Sequence, residues 1–278
     1  MFAKNYYALV AGFREYALDA DTKGFDARAI ADEIAAELEA GDAAAVRLLY
    51  TCYDCENLAA LHNGASTFNA LGNLSREELE AEYARPKRLP ARIAAVLRAY
   101  ADPEGEDAET VDTSERFEKS LFEAYYEECA RSGSRFLREW SAFDRTLRNI
   151  LAATVARAEG RPVEEVVVGG GDIVGQIKRS SAADFGLRGE LEWVDAVVSA
   201  VSDERNLLEK EHKIDMVRWA QADEIATFDY FNIDAVLAYL VKVNMVSRRS
   251  LLDPVRGREM FNRLLAELDG REALAAVK

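Results

Sequence analysis

Helix-forming composition constrains this sequence more than any other feature. Its 278 residues include only five prolines, and alanine, leucine, glutamate and arginine dominate the long stretches between them. These four residue types favour the α-helix, whereas proline interrupts it. The sequence shows no alternating series of strand and helix patterns, which disfavours a doubly wound sheet. The sequence therefore predicts a mainly α fold.

Start and stop signals predict several helices in the N-terminal part of the chain. Asp26 is a candidate N-cap, and apolar residues follow it at helical spacing. Gly41 is expected to end that helix, and Asp42 to cap a second helix that extends to residue 64. Ser75 and Glu78 have the spacing of a capping box, which predicts a further short helix.

Helical patterns continue to the C-terminal end of the sequence. Pro90 stands where the first residue of a helix is expected. A long helical stretch over 117–160 is interrupted only around residues 132–134. Near the end, Asp253–Pro254 predicts a cap and first turn, followed by a final amphipathic helix with apolar positions over 260–268.

We predict three helical bundles arranged as diverged repeats with pseudo-threefold, funnel-like symmetry. Helical repeat 1 covers residues 1–101, helical repeat 2 covers 116–165, and a glycine hinge with helical repeat 3 covers 166–278. Residues 102–115, DPEGEDAETVDTSE, are acidic and nearly free of large apolar side chains, which is typical of a solvated linker. The three segments are expected to pack as one integrated domain.

A weak internal repetition supports the three segments. In each, a carboxylate stands about one helical turn before an amide or a guanidinium. The positions are Asp54 with Asn57, Asp144 with Arg148 and Asn149, and Asp215 with Arg218. The separations are too uneven for a short-period solenoid. Because the surrounding residues are apolar, we expect buried or half-buried pairs that tie neighbouring helices together.

The stretch EVVVGGGDIVG, residues 165–175, raises the question of a phosphate-binding loop. The valines of Glu165–Val168 are strand-like and could pair with Tyr6–Val10 as a minor two-stranded β element. The glycines of Gly169–Gly175 are out of register for a dinucleotide fingerprint, which needs its third glycine one position earlier. A flexible turn leading into a helix capped by Asp172 is the favoured interpretation, and an anion site at the helix N-terminus is the alternative.

The cysteines and histidines form no recognisable catalytic or metal-binding pattern. Cys52 and Cys55 are spaced as C-x-x-C, but they fall in the middle of a predicted helix, where they would serve as small core residues. His62 could supply at most one further zinc ligand. His212 lies in a charged helical segment without an accompanying nucleophile. We predict no catalytic residue, no cofactor and no metal site.

The charge balance limits the classes of partner. The net charge is −15, which opposes binding to nucleic acid and to anionic lipid surfaces. Three cysteines without a disulfide framework are typical of a reducing compartment. No stretch approaches the ~20 apolar residues of a membrane span. A cytoplasmic location is therefore expected, with any membrane contact made through protein partners.

Four segments carry a resemblance to a known family. They are YYALVAGF at the start, LLYTCYDCENLAAL, FLREWSAFDRTLRNILAATVAR, and FNIDAVLAYLVKVNMVSRRSLLDPVRGREMFNRLLAEL near the end. Together they resemble the central-stalk component of V-type ATPases that bears the letter C in archaeal and bacterial enzymes and the letter d in eukaryotes. The likeness is closer to an uncharacterised bacterial family encoded beside V-type ATPase genes.

The resemblance implies a non-catalytic rotor component built from three helical bundles. Such a component rests on the proteolipid ring, receives the foot of the central shaft, and couples ATP turnover to ion or proton transport. The expected partners are therefore the central-stalk subunits and the proteolipid ring, and the expected location is peripheral to the inner membrane. Two alternatives stay open: a nucleotide-binding enzyme that uses Gly169–Gly175, and a general helical scaffold protein.

Overall fold

A computed structural model describes residues 4–18, 25–202 and 207–251. The described residues form eleven α-helices and two 3-10 helices and contain no β-strand, so the prediction of a mainly α fold is confirmed. The α-helices are α1 (Tyr7–Ala11), α2 (Ala27–Ala36), α3 (Ala40–His62), α4 (Arg76–Ala84), α5 (Ala91–Ala101), α6 (Phe117–Ala130), α7 (Arg135–Ala158), α8 (Asp172–Arg179), α9 (Val194–Ser202), α10 (Leu207–Ile225) and α11 (Ile233–Leu251). The 3-10 helices are Glu106–Glu109 and Val163–Glu165.

Two of the predicted caps are confirmed. The Asp26 carboxylate accepts hydrogen bonds from two backbone N–H groups in the first turn of α2, each at 3.0 Å. At the start of α4, Ser75 Oγ accepts from the Glu78 N–H at 3.2 Å, and Glu78 Oε2 accepts from the Ser75 N–H at 2.9 Å. This reciprocal pair satisfies two N–H groups that the helix itself leaves without acceptors.

Other predicted helix starts are wrong by one to three residues. Gly41 lies inside the first turn of α3, which has Glu39 at its N-cap position. Asp42 is a first-turn residue that accepts a hydrogen bond from the Tyr6 hydroxyl. A glycine is tolerated in a first turn, and an acidic side chain there interacts favourably with the helix dipole. Pro90 and Asp172 also shift by one position: Pro90 precedes α5, and Asp172 is the first residue of α8. The final helix predicted over 260–268 and its Asp253–Pro254 cap lie outside the described residues.

The predicted two-stranded β element is wrong. Tyr7–Ala11 is helical, and Val163–Glu165 forms a 3-10 helix. Short apolar runs have no periodicity that distinguishes a strand from a helix, so tertiary contacts determine which of the two forms. Val167 is fully buried in the core, and the backbone N–H of Tyr6 donates to Phe231 in the turn between α10 and α11.

Two hydrophobic cores share α3. The N-terminal half of α3, including Tyr50, belongs to a larger core with α2, α7, α8, α9, α10 and α11. Its C-terminal half, including Leu58, belongs to a smaller core with α4, α5 and α6. Each core draws residues from more than one of the predicted segments, since Leu58 and Leu121 meet in the smaller one. The shared helix therefore connects the two halves of the fold.

The acidic segment 102–115 is attached to α5. Asp107 in its 3-10 helix accepts two hydrogen bonds from Arg98, at 2.6 and 3.1 Å. The Tyr100 hydroxyl donates to the Glu115 carbonyl at 2.6 Å. Within the described ranges, none of the helices combines the length and the apolar character needed to cross a bilayer.

Candidate functional site

A series of ion pairs joins long helices from different parts of the fold. Its centre is α7, where Asp144 and Arg148 stand one turn apart on one helix face and Arg148 Nε lies 3.0 Å from Asp144 Oδ2. Arg218 of α10 approaches the other oxygen of Asp144 at 3.9 Å. On the opposite side, Glu56 of α3 lies 3.7 Å from Arg148. Three helices thus meet through alternating charges.

The series continues through a fully buried carboxylate. Asp215, one turn before Arg218 on α10, lies 3.5 Å from its guanidinium. Arg248 near the end of α11 contacts Asp215 and also lies 3.0 Å from Glu211. We call this set the ion-pair chain; in spatial order it comprises Glu56, Arg148, Asp144, Arg218, Asp215, Arg248 and Glu211.

Burial and charge act differently on the members of the ion-pair chain. The negative charge of Asp144 raises the pKa of Arg148 well above its ordinary value. Burial lowers the pKa of Arg218; the negative charge of Asp144 opposes this shift, and the positive charges of Arg248 and Arg148 add to it. Tyr126 donates a hydrogen bond to Asp144 at 2.8 Å, and burial, with the nearby Asp144 charge, raises its pKa. The carboxylates are therefore needed to keep two closely placed arginines inside the protein.

A cleft of about 880 Å³ opens beside the ion-pair chain. It lies where α3, α7, α10 and α11 meet the start of α2 and the segment after α3. Four arginines line it, namely Arg28, Arg148, Arg218 and Arg248. Its apolar lining consists mainly of Phe25, Leu49, Tyr53, Phe68, Trp140, Val241 and Met245. The cleft thus combines cationic groups with an apolar wall.

Asn57 and Asn149, which the sequence grouped with these charges, have a different role. Asn149 Nδ2 donates to the Val168 carbonyl, and the Val168 N–H donates to Asn149 Oδ1, both at 2.9 Å. Asn57 makes the same pair of contacts with the backbone of Asn69, at 3.0 and 2.6 Å. Each asparagine therefore fixes the segment that follows its helix against that helix.

Asp54 also binds backbone rather than an arginine. It accepts from Asn73 Nδ2 at 2.7 Å and from the Leu74 N–H at 3.2 Å. Burial raises its pKa to about 6, partly offset by these hydrogen bonds. Gly72 belongs to the same segment, and a Cβ at this position would lie 2.7 Å from Asp54 Oδ1. The close packing here requires glycine.

The structure thus separates the sequence-predicted positions into two groups. Asp144, Arg148, Asp215 and Arg218 come together in the ion-pair chain. Asp54, Asn57 and Asn149 bind backbone segments. Sequence reasoning missed Glu56, Arg248 and Glu211, for which the only signal is a charged residue beside an apolar helical stripe. It also missed the buried contact in which the Tyr50 hydroxyl donates to Asn244 Oδ1 at 2.9 Å.

The glycine-rich loop is held at its start and has unusual backbone geometry. Val168 is bound by Asn149, and the next residue, Gly169, has a φ of +81°. Gly171, which precedes α8, has a φ of +100°. Side-chain-bearing residues rarely adopt such conformations, so the loop conformation accounts for these two glycines. No strand precedes the loop in the described part of the chain.

The cysteines and histidines occupy core and edge positions. Cys52 and Cys55 lie in the middle of α3, where burial raises the pKa of both thiols. His62 stacks on Phe117 with ring centroids 4.0 Å apart. His212 is half-buried on α10, and its Nδ1 has no hydrogen-bond partner among the described residues. Across those residues, no group of three or more histidine, cysteine, aspartate or glutamate side chains is placed to hold a metal ion.

Comparison with known proteins places the chain in one family. A family model described as protein of unknown function (DUF2764) matches residues 3–271, so the chain belongs to that family. No curated protein matches the sequence.

Proposed function

We propose that this member of the DUF2764 family is a non-catalytic subunit or accessory protein of a bacterial V-type ATPase. In this role it couples the central shaft to the proteolipid ring during ATP-driven ion transport. It acts in the cytoplasm, at the inner membrane, through protein partners. The proposal starts from the sequence resemblance to the central-stalk component that joins shaft and ring, and the geometry of the ion-pair chain supports it.

The ion-pair chain is the observation that carries the proposal. Carboxylate–arginine pairs from predicted repeats 2 and 3, Asp144 with Arg148 and Asp215 with Arg218, contact each other at 3.9 Å. Glu56 from predicted repeat 1 reaches the same cluster. Related helical units around a common axis would bring the equivalent pairs of predicted repeats 2 and 3 together in this way. A coupling protein also needs helices that move together, and opposite charges inside the protein fix their relative positions.

The two asparagine contacts give separate support to the repeat hypothesis. Asn57 on α3 and Asn149 on α7 bind the backbone of the following segment with the same pair of hydrogen bonds. The two helices belong to predicted repeats 1 and 2. Equivalent contacts at equivalent positions are expected if the repeats diverged from one helical unit.

Affinity purification from native cells tests the function. The tagged chain is expected to co-purify with central-stalk and catalytic subunits of a V-type ATPase, and to be less abundant than the catalytic subunits. A tagged cytoplasmic protein of similar size and charge serves as the control for non-specific capture. Recovery of no ATPase component above that control would reject the proposal.

A further inference from the structure

We infer that the cleft beside the ion-pair chain binds a small molecule that carries a phosphate or carboxylate group on an aromatic or aliphatic body. This inference is independent of the ATPase proposal, because it rests only on the residues that line the cleft.

The cleft concentrates cationic groups in an acidic protein. The chain has a net charge of −15, yet four arginines line this cleft against three carboxylates, Asp26, Glu56 and Asp144. Two of these carboxylates have other hydrogen-bonding roles. Asp26 caps α2, and Glu56 accepts from Asn69 Nδ2 at 3.0 Å. Outside the lining, Arg28 pairs with Asp32, and Arg248 pairs with Asp215 and Glu211. The guanidinium groups that an entering anion can engage are therefore those of Arg148 and Arg218.

Arg148 and Arg218 have the geometry of an incomplete anion site. Asp144 Oδ2 lies 3.0 Å from Arg148 Nε but away from the direction of its N–H, so this buried Nε has no hydrogen-bond acceptor among the described residues. The other ion pairs of Arg148 and Arg218, to Glu56, Asp144 and Asp215, span 3.5–3.9 Å. These separations exceed the ~2.7–3.2 Å of an N–H···O hydrogen bond, so the pairs are Coulombic contacts that leave donor capacity unused. A guanidinium presents five donors in a planar fork that suits phosphate and carboxylate oxygens.

Arg148 is accessible and its orientation is restricted. Its side chain is 38% exposed, whereas that of Arg218 is 14% exposed. The Arg148 guanidinium lies 5.2 Å from the ring centroid of Phe122, and Asp144 lies beside its Nε edge. An incoming oxyanion therefore binds Arg148 at its Nη groups, where Glu56 lies 3.7 Å from Nη2, beyond hydrogen-bond distance.

The rest of the cleft selects the body of the ligand. Tyr53 and Trp140 stand among its lining residues, together with Leu49 and Met245. Its volume of about 880 Å³ lies in the ~300–1,000 Å³ range of small-molecule sites, which combine apolar walls with a few polar groups. A bare anion would leave this wall unused, so the preferred ligand carries an aromatic or aliphatic group beside its oxyanion.

Calorimetric titration of the full chain tests the inference with four probes. Phenyl phosphate and benzoate carry both features, inorganic phosphate carries only the oxyanion, and phenol carries only the ring. At least one of the first two is expected to bind more tightly than either of the last two, and comparing the first two decides between phosphate and carboxylate. The inference would be overturned if neither aromatic anion bound, or if neither bound more tightly than both inorganic phosphate and phenol.

Variants assign the binding to the cleft. Arg148→Gln should weaken binding of the preferred aromatic anion about ten-fold or more, because a charged hydrogen bond is lost. Arg188→Gln is the matched control, since Arg188 is 71% exposed and forms a surface pair with Asp195; it should bind as the wild type does. Gly170→Val tests the glycine-rich loop as the alternative anion site. Unchanged affinity in Arg148→Gln, or loss of affinity only in Gly170→Val, would show that the probe does not bind in the cleft.

A measurement on the wild-type chain covers the case in which Arg148→Gln does not fold. Phenylglyoxal modifies accessible arginines, and mass spectrometry identifies the modified positions. The preferred probe should protect Arg148 from modification and leave Arg188 reactive. Equal modification of Arg148 with and without the probe would contradict the inference.

Discussion

Asn149 binds both backbone polar groups of Val168, its Nδ2 donating to the carbonyl and its Oδ1 accepting from the N–H, each at 2.9 Å. Asn149 is buried near the middle of α7, and Val168 leads into the glycine-rich loop. The contact therefore fixes the start of this loop to the helix that carries Asp144 and Arg148. Asn57 and Asn69 form the same arrangement at the end of α3.

Replacing Asn149 by alanine should destabilise the protein by about 2–4 kcal/mol, because it leaves two backbone groups without partners at ~1–3 kcal/mol each. Urea denaturation measures the change. Asn63→Ala is the control, since Asn63 is exposed at the end of α3, and its effect should stay within about 0.5 kcal/mol. Equal losses in the two variants would show that the Asn149 contact does not stabilise the fold.

Alanine substitutions in the glycine-rich loop should show whether its glycines are required for their backbone conformation or only for flexibility. Gly169→Ala and Gly171→Ala should each cost about 1–2 kcal/mol, because both glycines have positive φ. Gly170→Ala is the matched control: Gly170 lacks a positive φ, and a Cβ there would meet no atom within 4 Å. Thermal and urea denaturation give the comparison. If Gly170→Ala were as destabilising as the other two, backbone conformation would not explain the glycines.

Asp54 should make stability depend on pH in a predictable direction. Burial raises its pKa from 3.8 to about 6 in the folded protein, so folding favours its protonated form. The corresponding stabilisation is fully present below pH 3.8 and is lost as the pH rises through about 6. It amounts to at most about 3 kcal/mol, since one pKa unit corresponds to ~1.4 kcal/mol.

Asp54→Asn removes this titration while keeping the shape of the side chain. The free energy of unfolding of the wild type, minus that of the variant, should therefore decrease between about pH 4 and about pH 7. Urea denaturation at several pH values gives this difference. A difference that is constant, or that increases with pH, would contradict the raised pKa.

Asp144→Asn should be the most disruptive single change in the ion-pair chain. It leaves Arg148 and Arg218 without the carboxylate between them, and we expect a loss of about 2–3 kcal/mol. This is below the ~3–5 kcal/mol typical of fully buried pairs, because Arg148 faces the cleft. Asp195→Asn removes one partner of an exposed pair with Arg188 and should cost less than about 1 kcal/mol. Similar losses in the two variants, measured by denaturation, would contradict the central place of Asp144.

The helices and some of their caps could be predicted because local residues determine them. Asp26 and Ser75 bind N–H groups within their own first turns, so their roles are visible in the sequence. The ion-pair chain depends on tertiary structure. Glu56 pairs with Arg148 of another helix, and Arg248 pairs with Asp215 of another helix. Nothing in the local sequence pattern identifies these partners. The predicted β element was also wrong because tertiary structure decides there. Val167 is buried by the core of the folded protein, and this burial cannot be read from the residues adjacent to it in sequence.

Association with a V-type ATPase is the central claim, and quantitative mass spectrometry of the affinity-purified native complex tests it most directly. The account predicts that the tagged chain recovers central-stalk and proteolipid subunits together with the catalytic subunits, and that it is less abundant than the catalytic subunits. Recovery of the tagged chain with no ATPase component above the control purification would contradict the account.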